Sequence, residues 1–105
     1  MLTRADVLKK LKKELPGIAA KYGITEIAIF GSYARETQKK KSDIDILVKL
    51  KKPLGFAFIE LADTLEDILG LKVDLATFDT YKRSFNNPRY RHIAEEVKND
   101  LIYVS

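Results

Sequence analysis

Two short segments near the middle of the chain decide its fold: IAIFGSYAR at residues 27–35 and SDIDILV at residues 42–48. The first is a β-branched, apolar run that ends in Gly31-Ser32, which predicts a buried strand followed by a tight turn and a short helix over residues 33–37. In the second, apolar and polar residues alternate, which predicts another strand. The unit is therefore strand–turn–helix, then a strand that begins with two carboxylates, Asp43 and Asp45.

A helix and a third strand are predicted on the C-terminal side. Residues 55–69 carry a wide apolar stripe at helical spacing, and Gly70 is placed to end that helix. Residues 71–78 alternate as a strand with Asp74 in the middle. A buried carboxylate without a partner is costly. If this strand is the neighbour of the strand that contains Asp45, Asp74 leaves the sheet on the same face, and three carboxylates meet.

The N-terminal segment predicts two helices. Thr3 and Asp6 are placed to cap the first one. We expect Pro16-Gly17 to break it and a short second helix to end at Gly23.

The C-terminal segment predicts one more helix. Asn87-Pro88 resembles an N-cap residue followed by proline at the first helical position. Residues 79–86 follow no clear pattern, and residues 101–104 are an apolar tail that fits an edge strand or a docked segment. The order of elements predicts an α/β (α+β) fold, a small mixed sheet flanked by helices.

Length and composition fit one globular domain over residues 1–105, since 46% of the residues are hydrophobic and 32% are charged. The chain has no cysteine, which excludes disulfides, thiolate metal sites and thiol nucleophiles. No apolar run approaches the roughly 20 residues of a membrane span, and no secretion signal is recognisable. We therefore expect a cytoplasmic protein with no membrane partner.

The net charge of +4 comes largely from lysines grouped at residues 9–13, 39–41 and 49–52. Most such groups are solvated helix faces and loops, although the second group lies in the spacer of the central motif, where a positive field attracts phosphate. No aromatic residues are interleaved with these lysines, so charge alone is a weak indication of nucleic-acid binding. Nucleic acid is accordingly not a required partner.

The central motif predicts phosphoryl chemistry. Asp43 and Asp45 are two residues apart in a strand, so their side chains share a face with Cα atoms about 7 Å apart. Carboxylates at that spacing suit Mg²⁺, and a third one from Asp74 would raise the pKa of the others unless a divalent metal were bound. Gly31-Ser32 offers backbone N–H groups and a hydroxyl to a phosphate, and Arg35 could reach the same phosphate or an acidic neighbour. In-line displacement at phosphorus needs these parts.

Each part is weak by itself, because a lone Gly-Ser is a turn and a lone Asp-X-Asp is more often a solvated strand end. Jointly, Gly31-Ser32, ten residues and then Asp43-Ile44-Asp45 resemble the signature of the nucleotidyltransferase superfamily that includes DNA polymerase β. The small size and the segment around Asp74 resemble its minimal branch, the MNT proteins of bacteria and archaea. The family usually has glycine after the arginine, whereas this chain has Glu36.

The resemblance implies a polymerase β-like nucleotidyltransferase fold and a role for each site residue. The residues that would bind the triphosphate of ATP or another NTP are Gly31, Ser32, Arg35 and Ser42. The residues that would be catalytic and would ligate Mg²⁺, with two ions expected, are Asp43, Asp45 and Asp74.

The resemblance also implies a reaction and a partner. Such enzymes transfer a nucleoside monophosphate to a hydroxyl; in antitoxin members AMP goes from ATP to a tyrosine of a HEPN toxin, whose ribonuclease activity the added bulk and charge would block. Two alternatives stay open: a non-catalytic module that neutralises a toxin by binding, and a nucleotidyltransferase that acts on a small molecule or RNA. A domain of this size has little room for an acceptor-binding module, so a homo- or hetero-oligomer is compatible with the sequence.

Overall fold

A central sheet with helices on both faces organises the chain, of which the computed structural model describes residues 2–104. The elements are α1 (Arg4–Tyr22), β1 (Ile24–Phe30), α2 (Gly31–Arg35), β2 (Ile44–Leu50), α3 (Ala57–Leu69), β3 (Val73–Thr77), α4 (Phe78–Phe85), α5 (Arg91–Asp100) and β4 (Ile102–Tyr103). The strand order is β3-β2-β1-β4, with β1 antiparallel to β2 and β4, and β2 parallel to β3. This mixed sheet confirms the predicted fold class.

Side chains alternate between the two faces of the sheet, and each face carries its own apolar cluster. The main core joins one face to α1 and α3 and includes Val7, Leu11, Ile27, Ile29, Ile44, Ile46, Val48, Leu61 and Leu65. On the other face, Ala28 and Leu47 pack with Phe78 of α4. Asp45 is two residues from Leu47, so it lies on this second face, beyond the smaller cluster.

Helix ends predicted from the sequence are confirmed by the caps. The Asp6 N–H donates to Thr3 Oγ1 at 3.1 Å, and the Thr3 N–H donates to Asp6 Oδ2 at 3.0 Å, so the two residues form a capping box. Gly23 ends α1 and Gly70 ends α3, each with φ of 70°. Only the left-handed region closes a helix in this way, and glycine enters it without steric cost.

The predicted break at Pro16-Gly17 is wrong, because α1 is continuous through both residues. Proline removes the N–H that would bond to the Lys12 carbonyl. Pro16 and Lys12 are both exposed, so water can take the place of that donor. Beyond the proline, Ile18 and Tyr22 are buried in the main core, and this packing holds the second half of the helix in line with the first.

Residues 79–85, most of the segment whose pattern is not clear from the sequence, belong to α4, which begins at Phe78, the residue predicted to end the third strand. The Thr77 hydroxyl caps this helix by accepting from the Thr80 N–H at 3.2 Å. The last helix begins at Arg91, so the prediction that Asn87-Pro88 starts it is wrong. Asn87 instead organises a turn: its carbonyl accepts from the Tyr90 N–H at 3.0 Å and its side-chain Oδ1 from the Arg89 N–H at 3.0 Å. Asparagine followed by proline suits such a turn as well as a helix start.

The apolar tail is an edge strand. Tyr103 and Ile102 pair with Ala28 and Ile29 of β1, and the Val104 N–H donates to the Ile27 carbonyl at 2.8 Å. Over residues 2–104, none of the helices has the length and apolar character needed to cross a lipid bilayer.

Candidate active site

Two of the predicted carboxylates meet across neighbouring strands. Asp45 of β2 and Asp74 of β3 are register partners in the parallel ladder, and Phe30 is the partner of Asp45 on β1. Register partners on adjacent strands, which lie about 4.8 Å apart, direct their side chains to the same face. The alternation of apolar and polar residues in the two strands likewise predicts that Asp45 and Asp74 lie on the same face.

Asp43 lies just outside β2, with its side chain exposed. The strand starts at the next residue, Ile44, whose N–H donates to the Lys72 carbonyl at 3.0 Å. This hydrogen bond between the starts of β2 and β3 holds Asp43 beside the first residue of β3. The negative charge of Asp43 contributes to raising the pKa of Asp45.

The pKa of the Asp45 carboxyl is raised from 3.8 to about 6. Partial burial is the largest cause, followed by repulsion from Asp74 and then from Asp43, whereas Arg35 acts in the opposite direction. A carboxylate that is disfavoured by two like charges is stabilised by any cation placed among them.

Within residues 2–104, no three His, Cys, Asp or Glu side chains are gathered around one point closely enough to hold a metal ion. The chemistry of the donor set nevertheless fits a hard divalent cation, because Asp43, Asp45 and Asp74 supply only carboxylate oxygens and Asp45 bears the repulsion of the other two. The roles of these three residues as metal ligands and catalytic groups stay predictions.

Gly31 packs directly against the Asp45 carboxylate. Its φ is 73°, and a Cβ at this position would lie 3.0 Å from Asp45 Cγ and closer still to Oδ2. Glycine is therefore required for two reasons: it adopts the left-handed backbone without strain, and it leaves room for the Asp45 carboxylate. The turn between β1 and α2 thereby brings its backbone against the carboxylates.

The start of α2 leaves hydrogen-bonding groups beside this contact. Its N-cap residue is Phe30, which supplies no side-chain cap. The backbone N–H groups of a first helical turn have no partner within the helix. The Ser32 carbonyl accepts from the Thr37 N–H at 2.9 Å, a bond at the other end of the short helix. The Ser32 N–H and hydroxyl stay the groups that are predicted to bind phosphate.

The two remaining nucleotide-binding candidates have partners within the chain. Arg35 forms an ion pair of 2.5 Å with Asp100 of α5, so the acidic neighbour that the sequence allowed is present. No sequence signal indicates Asp100, which becomes a neighbour only when α5 packs beside α2. The Ser42 hydroxyl accepts from the Lys39 N–H at 2.8 Å and closes a turn of the spacer. The nucleotide-binding roles of Arg35 and Ser42 stay predictions.

Glu36 occupies the left-handed region with φ of 60°, directly after α2. Glycine, which the resemblance to the nucleotidyltransferase superfamily leads one to expect at this position, enters that region without steric cost. Arg4 of α1 supports the turn, because its guanidinium donates to the Ala34 carbonyl at 3.0 Å and pairs with Glu36 at 3.5 Å.

We expect Glu36→Gly to stabilise the protein by about 0.5–1 kcal/mol, because a non-glycine residue in this region costs about 1–2 kcal/mol and an exposed ion pair contributes at most about 1 kcal/mol. Thermal unfolding should show Tm higher by a few degrees. Glu36→Ala is the control, since it removes the ion pair and keeps the strain. An equal gain in Glu36→Ala would show that backbone strain is not the cause.

The chain is similar to known proteins over nearly its whole length. The sequence pattern of the nucleotidyltransferase domain family matches residues 7–104. A Methanocaldococcus jannaschii protein, provisionally named a protein adenylyltransferase, is 43% identical over 105 residues, which cover 99% of this chain and 100% of that protein. Protein adenylyltransferase MntA of Thermococcus cleftensis is 36% identical, covering 99% of this chain and 98% of that one.

A solved structure agrees with the sequence matches. It is described as a toxin–antitoxin with AMP-PNP, and its matching chain is 26% identical with a TM-score of 0.63, covering 99% of this chain and 73% of that chain. The matched range, residues 7–104, spans Gly31, Asp43, Asp45 and Asp74. The chain therefore belongs to the nucleotidyltransferase domain family.

Proposed function

We propose that this nucleotidyltransferase moves AMP from ATP to a hydroxyl of a partner protein, a tyrosine of a HEPN toxin, and acts as its antitoxin. The observation that carries the proposal is the position of Asp45 and Asp74 as register partners on adjacent strands, with Gly31 packed against the Asp45 carboxylate. The relatives named protein adenylyltransferase support AMP as the transferred group. The neighbour solved as a toxin–antitoxin with AMP-PNP supports an adenine nucleotide as donor and a toxin as partner.

The reaction is a displacement at phosphorus. The acceptor hydroxyl oxygen forms a bond to the α-phosphorus of ATP, the bond from that phosphorus to the bridging oxygen of the β-phosphate breaks, and pyrophosphate leaves. Gly31 and Ser32 hold the triphosphate so that the leaving oxygen lies opposite the acceptor, and most of the rate gain comes from such positioning. Asp74 is exposed on the edge strand β3, where it can receive the hydroxyl proton from a bound partner.

The residues that would hold Mg²⁺ are Asp43, Asp45 and Asp74. When bound, Mg²⁺ offsets the charge of the phosphates and stabilises the attacking and leaving oxygens. The raised pKa of Asp45 supports this assignment: burial, its largest cause, and repulsion from Asp74 and Asp43 all disfavour the bare carboxylate, and a cation at the same place offsets them.

The test incubates the chain with ATP labelled at the α-phosphate, MgCl₂ and the product of the neighbouring gene. We expect label on that partner, and its loss in Asp43→Ala/Asp45→Ala. Asp63→Ala/Asp67→Ala, which removes two exposed carboxylates from α3, is the matched control and should transfer normally.

Two results would contradict the proposal. If the double aspartate variant still neutralises the partner and no label is transferred by the wild type, the chain neutralises by binding alone. If label goes to RNA or to a small molecule while the partner stays unlabelled, the acceptor is not a protein.

A further inference from the structure

A basic groove lies at the far end of β2 from the carboxylates. It has a volume of about 250 Å³ and is lined by Lys49, Lys51 and Lys52, from the end of β2 and the turn after it, and by Arg83 of α4. The sequence shows these lysines only as an ordinary solvated cluster. Folding adds an arginine from a distant segment and forms a concave surface.

The four cations of the groove are exposed. None of them is in an ion pair within the described part of the chain, and Arg83 donates only to Thr80 Oγ1, at 3.3 Å. Asp79 is the one carboxylate among the described residues that line the groove. Four cations beside one carboxylate create a local field that concentrates polyanions.

The groove is separate from the active site. Lys49 follows Asp45 by four residues on the same face of β2, which places their Cα atoms about 13 Å apart. Between them, Leu47 is packed with Ala28 and Phe78 in the smaller apolar cluster. Changes in the groove therefore leave the carboxylates in place.

We propose that this groove binds the phosphate backbone of a single-stranded nucleic acid. Lysine, arginine and hydroxyl side chains, here including Thr77, are the groups that contact backbone phosphates in complexes. The volume is below that of ordinary ligand pockets, which suits one extended strand crossing the surface.

The residues that line the groove also favour a nucleic acid over an acidic protein as the partner. Among the described residues, none that lines the groove is aromatic, so the expected contacts are to phosphates, which carry no sequence information. Protein interfaces draw much of their energy from aromatic anchors, which this groove lacks.

The test measures fluorescence anisotropy of a labelled 20-nucleotide oligouridine RNA with the full chain at increasing NaCl. With about four phosphates neutralised, the slope of log affinity against log salt should be about −3, so affinity falls roughly fifty-fold between 50 and 200 mM. Lys49→Gln/Lys52→Gln/Arg83→Gln should bind at least about ten-fold more weakly, with a slope near −1. Arg83→Gln alone should reduce the slope by about 0.7.

The matched control is Lys9→Gln/Lys10→Gln/Lys13→Gln, which removes the same charge from the exposed side of α1 and should retain binding. Both triple variants should keep the wild-type Tm and adenylyl transfer, which separates this proposal from the proposed function. Equal loss in the two triple variants, absence of binding at 50 mM NaCl, or displacement of the RNA by an equal concentration of 20-residue polyglutamate would overturn it. The last result would assign the groove to an acidic protein.

Discussion

Asp45→Asn is expected to stabilise the protein at pH 7.5 without Mg²⁺ while abolishing adenylyl transfer. The pKa of Asp45 is about 6 in the folded chain, above its ordinary 3.8, so folding favours the neutral carboxyl. As pH rises from about 4 through 6, the folded wild type releases this proton and loses stability, and at pH 7.5 the loss is complete. Asparagine is neutral at every pH and avoids the loss.

The size of the gain follows from the pKa difference. A shift of about two pKa units corresponds to about 3 kcal/mol, and because the carboxyl is half exposed we expect about 1–2 kcal/mol. In a domain of this size that raises Tm by about 5–10 °C. Adenylyl transfer should fall by more than the roughly 100-fold that loss of an outer-shell partner of a metal costs.

The measurement is thermal unfolding from pH 4 to 7.5, with and without MgCl₂, beside the transfer assay. Mg²⁺ should stabilise the wild type and have little effect on Asp45→Asn. Asp63→Asn, at an exposed site on α3, controls for the change in net charge. The expectation fails if Asp45→Asn unfolds at or below the wild-type Tm at pH 7.5, or if its adenylyl transfer falls by less than about 100-fold.

Gly31→Ala is expected to lower both stability and transfer. The left-handed backbone alone costs about 1–2 kcal/mol for a residue with a Cβ. The added methyl must also displace the Asp45 carboxylate, because the Cβ would lie 3.0 Å from Asp45 Cγ. We expect a loss of about 2–3 kcal/mol in the free energy of unfolding and at least about a hundred-fold loss of transfer, since a small misplacement at a site of this kind costs that much.

Gly70→Ala is a matched control for Gly31→Ala. Gly70 has φ of 70°, and its added Cβ would have nothing within 4 Å. It therefore carries the backbone strain without the contact to Asp45, and should lose about 1–2 kcal/mol with transfer unchanged. Denaturant unfolding and the transfer assay on both variants separate the two effects; equal behaviour in both assays would show that the contact with Asp45 has no consequence.

Local features of the fold are predictable from the sequence because their causes are local. The Thr3–Asp6 capping box, the glycine caps and the alternation that places Asp45 and Asp74 on one face each depend on a few neighbouring residues. The sequence pattern is misleading at Pro16 and Asn87 for the opposite reason. Packing of Ile18 in the core overrides a proline, and Asn87 satisfies a turn as readily as a helix start.

The parts of the site that depend on packing are not predictable in this way. The sequence predicts a phosphate or an acidic residue beside Arg35, and only the position of α5 shows that the acidic residue is Asp100. The strain at Glu36 is likewise a property of the backbone, since a glutamate gives no sign that its φ is 60°. The type of a residue indicates which partners its side chain can bind, whereas the packing of distant elements determines which partner it has.

The parallel pairing of β3 with β2 has a consequence for folding. β1, the Gly31 turn and β2 are close in sequence, so their antiparallel contacts close a short loop. Asp74 reaches Asp45 only after the whole α3 crossover has been ordered, a contact of longer range and higher entropic cost. We therefore expect the nascent chain to assemble the Gly31 turn, Asp43 and Asp45 early, and to become catalytically competent only when β3 pairs with β2.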